Sequence, residues 1–289
     1  MKIIKVSEKP TFMNAIWHSL AKNLIVKPSL KIQRSRTNCP KFWTMPYDSI
    51  CKEILIEGLY EKSIIEGMCQ LVDNKKCIVL DVGANIGNHS MYFSTQFNRV
   101  ISFEPSERNG WVFKANLELN NITNILFIEK GLSDAVGFVE LENDFNKLDT
   151  NNGFNPNTVL AAYKINPKTI EIAIGDTEIE SLNLTGNIGM IKVDVEGLER
   201  KVIKGLTATI VKHKPIIFWE AFTSDTVNES RAVMEKMGFN YFYHLSPTNH
   251  KGIINKLKDI FAGRTCSLVP LNDCTSYAGM NVASFKSLI

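Results

Sequence analysis

The run Val79-Leu80-Asp81-Val82-Gly83-Ala84-Asn85-Ile86-Gly87-Asn88-His89-Ser90 decides the reading of this chain. Its first residues form a short apolar strand, Gly83 to Gly87 a turn, and the residues after Gly87 the start of a helix. Small residues at 83, 84 and 87 let a ligand approach the backbone, and Asn85 tolerates a left-handed conformation that most residues avoid. The turn therefore reads as a ligand cradle. Its glycines are spaced G-x-x-x-G, and Asp81 stands at the strand end, where a pyrophosphate would be repelled, so the dinucleotide fingerprint G-x-G-x-x-G is not met. A zwitterionic ligand suits it better, with the Asp81 carboxylate facing an ammonium or ordered water and the turn N–H groups facing a carboxylate.

Outward from this run, short apolar segments alternate with helical ones. Strands are expected at Ile78–Val82, Val100–Phe103, Ile125–Ile128, Met190–Val193 and Ile216–Trp219, with helices near Gly87–Phe97, Glu107–Asn120, Gly197–Leu206 and Asp225–Met237. Strands separated by helices require parallel crossovers, so the fold class is α/β, a doubly wound and mostly parallel sheet covered on both faces. Gly137–Glu142 and Thr169–Ile174 alternate in polarity around the Asn-rich stretch 143–157, which predicts an antiparallel excursion inserted between the third and fourth parallel strands. Upstream, Met13, Ile16, Trp17, Leu20 and Leu24 recur at helical spacing, and a second amphipathic segment from about Ser49 to Leu71 breaks near Gly58. Downstream, Tyr241–Leu245 and Cys266–Leu271 predict sheet-edge strands around a basic amphipathic segment, Gly252–Phe261. The expected division is a helical N-terminal extension and cap over 1–77 and a main domain over 78–289, with a C-terminal extension from about 246.

The 289 residues are 44% hydrophobic and 22% charged, enough apolar content for a sizeable core. Lys and Arg number 33 against 30 Asp and Glu, which argues against neutralisation of many phosphates and so against nucleic acid as a partner. The cysteines at 39, 51, 69, 77, 266 and 274 form no CxxC pair and no zinc-type spacing; they read as free thiols of a reducing compartment. The start, MKIIKVSEKP, lacks the apolar core of a secretory signal, and no stretch has the length of a membrane span, so a cytoplasmic location is expected.

Acids recur at strand ends. Glu104 closes Ile101-Ser102-Phe103-Glu104, 23 residues after Asp81, where a carboxylate can accept two hydrogen bonds from ribose hydroxyls. The third strand runs out in Glu129-Lys130-Gly131-Leu132-Ser133-Asp134, whose small and polar residues suit a flat base. The fourth gives Lys192-Val193-Asp194-Val195-Glu196, in which alternation turns Lys192, Asp194 and Glu196 to one side. Charges this close at the end of an internal strand are costly unless paired or used. The alternative there is an ion-paired helix entry, with Glu196 near the positive end of the dipole. Glu220 ends the fifth strand in the same way, and His89 stands one turn into the helix that follows the cradle.

Together the DVGANIG turn, the FEP acid, the KVDVEG segment and the WE strand end resemble the FkbM-type methyltransferases, S-adenosylmethionine-dependent enzymes with the class I Rossmann-like fold. The resemblance covers roughly residues 50 to 245, and the family's Gly-x-Tyr-Glu stretch is matched by Gly58-Leu59-Tyr60-Glu61. It implies that Asp81, Gly83, Asn85 and Gly87 line the methionine end of the cofactor, that Glu104 holds its ribose, that Ser133 lies near its adenine, and that Tyr60 and Glu61 belong to the cofactor site. It also implies an acceptor hydroxyl on a sugar, a glycan or a related small molecule. An alcohol needs a general base, for which Asp194 is the first choice, Glu196 the second and His89 an alternative, with Lys192 neutralising part of the charge and Glu220 holding acceptor hydroxyls. A magnesium ion at Asp194 and Glu196 would need a third ligand that spacing does not name, so no metal is assigned. Residues 1–49 and 246–289 lie outside the resemblance and are expected to serve acceptor recognition or assembly. Their apolar stripes would pack on the core, form a homo-oligomer interface, or touch a membrane surface that carries a lipid-linked glycan. Two rival readings are a nicotinamide-dependent oxidoreductase, disfavoured by the turn spacing and the lack of a Tyr-x-x-x-Lys pair, and a protein that binds S-adenosylmethionine without catalysis, against which the carboxylates at 194, 196 and 220 argue.

Overall fold

The structure is a computed structural model. It describes residues 39–44, 50, 53–54, 57–141, 168–195, 197–221, 223–247, 266–274 and 280–287. After helix α1 (Lys62–Gln70), strands β1 (Ile78–Val82), β2 (Arg99–Phe103) and β3 (Ile125–Ile128) alternate with helices α2 (Asn88–Gln96) and α3 (Glu107–Asn120). Three strands follow, β4 (Gly131–Ser133), β5 (Gly137–Leu141) and β6 (Lys168–Ile174), then α4 (Gly175–Ser181) and β7 (Ile188–Val193). Helices α5 (Glu199–Gly205) and α6 (Thr207–His213) lead to β8 (Ile216–Ala221), and α7 (Ser224–Lys236) leads to β9 (Tyr241–Pro247), β10 (Cys266–Pro270) and β11 (Met280–Phe285).

The main sheet has eight strands in the order β10-β9-β11-β8-β7-β1-β2-β3. The five from β3 to β8 are mutually parallel, as the alternation of strands and helices requires. Three findings differ from the sequence reading. The tail does not supply edge strands alone: β11 was not expected, and it slots antiparallel between β8 and β9, leaving only β10 at the edge. Its alternating, mostly buried residues fill an internal position that short apolar runs cannot announce by themselves. The run through Gly131–Ser133 is not the end of β3; it is a strand of a separate sheet, ordered β4-β6-β5, in which β5 and β6 form the expected antiparallel pair. Helices α4 and α6 are additions. The N-terminal helix with Met13 and Trp17, the stretch 143–157, Glu196 and the segment Gly252–Phe261 lie outside the described residues. Cys69, Cys77 and Cys266 are free thiols, and no helix among the described residues is long and apolar enough to cross a membrane.

Both faces of the sheet are buried, and they are not alike. Leu80, Val82, Ile101, Phe103, Ile191, Val193, Ile217 and Trp219 pack one face. On the other, Val79, Val100, Met190, Phe218 and Ala283 form an apolar band. Two residues further along each strand, this second face turns polar, with Asp81, Ser102, Lys192 and Glu220 at the carboxyl ends of the parallel strands and Asn281 at the start of β11. Register puts Asp81 beside both Ser102 and Lys192, and Asn281 beside Glu220. The polar row thus runs across the sheet at the end where open α/β sheets bind ligands.

Candidate active site

Gly83, Asn85 and Gly87 adopt φ values of 80°, 51° and 90°, a left-handed path suited to glycine and asparagine. The N–H groups of Gly83 and Ala84 donate to the Phe103 carbonyl at 2.9 and 3.0 Å, and the Asn85 N–H donates to Glu104 Oε2 at 2.9 Å. A Cβ on Gly83 would stand 1.8 Å from the Asp194 carbonyl oxygen, so the segment leaving β7 lies directly against the turn. Glu104 is nearly buried, and its Oε1 accepts from the Ser106 N–H at 2.9 Å and the Asn109 amide at 3.3 Å. Burial pushes its carboxyl above the ordinary range, against the pull of these donors. A carboxylate offers about four lone-pair directions. Three are occupied, which leaves room for one hydroxyl rather than the expected two unless Asn109 moves.

Asp81 departs from the expectation that it lines an open ligand site. It is wholly buried, accepts the Ser90 hydroxyl at 2.5 Å, and sits 3.3 Å from Lys192 Nζ; Ser90 in turn shares a 2.8 Å hydrogen bond with Ser102. The ammonium it faces is the protein's own. Lys192, 3% exposed, lies between Asp81, Asp194 Oδ2 at 3.2 Å and the Gly83 carbonyl at 3.3 Å. Burial works against its charge, but Asp194 and Asp81 outweigh burial and hold its pKa above the ordinary lysine value.

Asp194 is the partly open member, with 32% of its side chain exposed. Burial alone would raise its pKa; the Lys192 ammonium, a hydrogen bond with Glu220 and the nearby His89 bring it below the ordinary carboxylate value. The Glu220 side chain therefore lies within hydrogen-bond reach of Asp194. Glu61, at a left-handed φ of 53°, closes the other side of the row. Its N–H donates to Glu53 Oε1 at 3.0 Å, its Oε1 accepts from the Asn281 amide at 3.2 Å, and its Oε2 lies 3.6 Å from His89 Nε2. Burial, then the charge of Asp194, raises the Glu61 pKa.

His89 is buried with Nε2 lacking a hydrogen-bond partner among the described residues. Burial and then Lys192 lower its pKa to about 4, so the ring is neutral at pH 7. Asn88 clasps the Tyr60 backbone, accepting its N–H at 3.0 Å and donating to its carbonyl at 2.9 Å. Burial first, then Glu61, Glu53, Glu220 and Asp194, raise the Tyr60 hydroxyl pKa. Tyr60 is thus tied to the start of α2, and Glu61 to Asn281 and His89 in the polar row.

Sequence reasoning missed three contributors. Asn281 lies in the β11 run that was not expected. Ser90 reads as an ordinary helix residue, although its position one turn beyond Gly87 faces it back onto β1. Glu199, almost completely buried, accepts the N–H groups of Val195 at 3.2 Å and Gly197 at 3.0 Å and so shapes the segment after Asp194; an acid in the first turn of a helix is the signal for it. Ser133 is buried in β4 with its hydroxyl 3.4 Å from Asp134 Oδ1. Among the described residues no three His, Cys, Asp or Glu side chains are grouped as metal ligands.

The strand order, the left-handed turn after β1 and the acid after β2 define a class I methyltransferase. The chain belongs to the FkbM methyltransferase family, whose model, the methyltransferase FkbM domain, matches residues 81–241. Its cofactor is S-adenosylmethionine. The chain is 26% identical to methyltransferase sdnD of Sordaria araneosa over 221 residues, 66% of this chain and 81% of that one. It is 30% identical to the hexuronic acid methyltransferase AglP of Haloferax volcanii over 135 residues, 45% of this chain and half of that one. Among solved structures it is similar to an FkbM methyltransferase from Methylobacillus flagellatus at 13% identity and a TM-score of 0.42, covering 93% of this chain and 60% of that one.

Proposed function

We propose that this methyltransferase acts on oxygen, transferring a methyl group to a hydroxyl of a sugar, glycan or related small molecule, with Asp194 as general base. The observation that carries the reading is the contact between the two halves of the site: the Asp194 backbone abuts Gly83 of the cofactor turn, while its ionised, partly open carboxylate sits beside Lys192. The sugar part of the reading is supported by AglP, whose name specifies a hexuronic acid substrate.

The residues fit the cofactor, because Gly83 and Asn85 of the left-handed turn are only half-buried and Glu104 keeps one acceptor direction open beside them. Gly83, Asn85, Gly87, Glu104 and Ser133 would hold S-adenosylmethionine, which when bound supplies an electrophilic methyl group. Asp194 would accept the acceptor's hydroxyl proton as that oxygen attacks, and Glu220, beside it, would hold a neighbouring acceptor hydroxyl. Lys192 keeps Asp194 ionised and aimed; it also makes Asp194 a weaker base, so alignment carries more of the rate than proton affinity does. Asp81, closed to solvent, holds Lys192 in place.

The test is methyl transfer from isotopically labelled S-adenosylmethionine to neutral and uronic acid glycosides and to a glycan extract from cells lacking the gene, followed by fragmentation mass spectrometry. Label on oxygen is the expected result. Label on nitrogen or carbon would overturn the reading, as would cofactor binding with no transfer to any fraction.

A further inference from the structure

The short segment at 41–43 lies along α3 in an unusual way. The Lys41 N–H donates to Asn120 Oδ1 and the Asn120 amide donates to the Lys41 carbonyl, both at 2.8 Å. One helical turn earlier, Asn116 does the same for Trp43, accepting its N–H at 2.6 Å and donating to its carbonyl at 3.2 Å. Two side-chain amides four apart on a helix are separated by about 6 Å along the axis, close to the roughly 6.7 Å between alternate residues of an extended chain. The match lets a helix bind an extended segment as a neighbouring strand would. Between the two clasps, Phe42 packs with Ala84, Met91 and Phe113.

Asn116 does more than Asn120. It is completely buried, and its amide makes a further hydrogen bond, at 2.8 Å, to the carbonyl of Ile86 inside the Gly83–Gly87 turn. Both of its donor hydrogens are thereby committed, one to the segment and one to the turn. Phe42 packs against the cluster that contains Ala84 of the same turn. The segment and the turn are joined by two independent contacts, one polar and one apolar.

We propose that Asn116 is a positioning residue for cofactor binding, and that residues 41–43 form a strap whose docking on α3 sets the conformation of the S-adenosylmethionine turn. This assigns that part of the N-terminal region to the cofactor side of the site, where acceptor recognition or assembly was expected. Neither Asn116 nor Phe42 touches the cofactor in this scheme; they act through Ile86 and Ala84. The inference needs only the cofactor and is independent of the acceptor.

Calorimetric titration of the full chain with S-adenosylhomocysteine, well below the melting temperature, tests it. Asn116→Ala should raise Kd about tenfold, the equivalent of one buried hydrogen bond, and Phe42→Ala about threefold. Asn124→Ala is the control, because its amide makes the same kind of bond to the Ser94 and Phe97 carbonyls at the C-terminal end of α2, away from the turn. It should lower the melting temperature and leave Kd within twofold. Folded Asn116→Ala with wild-type Kd would overturn the proposal, as would an equal rise in Kd for Asn124→Ala. Should Asn116→Ala fail to fold, the half-buried Phe42→Ala decides: an unchanged Kd there overturns the strap and a raised one supports it.

Discussion

The Gly83–Gly87 turn is held mainly by its backbone hydrogen bonds, with the Glu104 carboxylate, the Asn116 amide and Lys192 added from outside it, whereas the polar row beside it is held by charges and amides from residues as far as 220 apart. The first arrangement rests mostly on backbone groups, and side chains can vary there except where a Cβ has no room. The second couples Asp81, Lys192, Asp194, Glu220, Glu61 and His89, so that removing one changes the charge state or geometry of the others. Cofactor binding and chemistry should therefore respond to different substitutions, and the four predictions below separate them.

The largest effect is expected at Asp194. Asp194→Asn keeps the shape but removes the charge and the base, and should lower turnover by about 10²–10⁴-fold while S-adenosylhomocysteine affinity hardly moves. Wild-type turnover in the folded variant would return Asp194 to a purely structural role. Lys192→Met comes next. It leaves Asp81 wholly buried without its cation, and breaking a buried pair this way costs about 3–5 kcal/mol, measured by urea unfolding.

The third prediction concerns pH. With a pKa of about 4 when folded against 6.5 ordinarily, His89 binds its proton more readily in the unfolded chain. Its contribution is present above about pH 6.5 and is lost as pH falls towards 4, amounting to about 3 kcal/mol. Asp194, also lowered, adds to the loss at more acid pH, while Glu61 and Glu104, both raised, act with opposite sign and lose their contribution as pH rises through their folded values. His89→Gln should flatten the stability curve between pH 6.5 and 4; an unchanged acid limb would show that His89 is not the group responsible. The smallest effect falls on the cofactor half of the site. Glu104→Ala should weaken cofactor binding by about 1.5–3 kcal/mol, the value of a charge-assisted hydrogen bond, with equal affinity in the variant removing Glu104 from the cofactor site.

Much of the turn could be read directly. Gly83, Asn85 and Gly87 need left-handed backbone, a property of each residue and its immediate neighbours, and the strand on either side alternates as local sterics demand. Glu104 followed from ending the next strand. The row was legible only in part: alternation turned Lys192 and Asp194 to the same side, but nothing in the order of residues says that Lys192 pairs with Asp81 at 3.3 Å and shuts it off from solvent.

What the sequence by itself determined is the α/β class, the left-handed turn after the first strand and the acids at strand ends, because each depends on residues a few positions apart. Only the tertiary structure decided that β11 enters the sheet between β8 and β9, bringing Asn281 opposite Glu220 and within 3.2 Å of Glu61, and that Asn116 links residues 41–43 to the turn. Strand order and register depend on which distant surfaces bury one another, a property of the whole packed chain that no local pattern encodes.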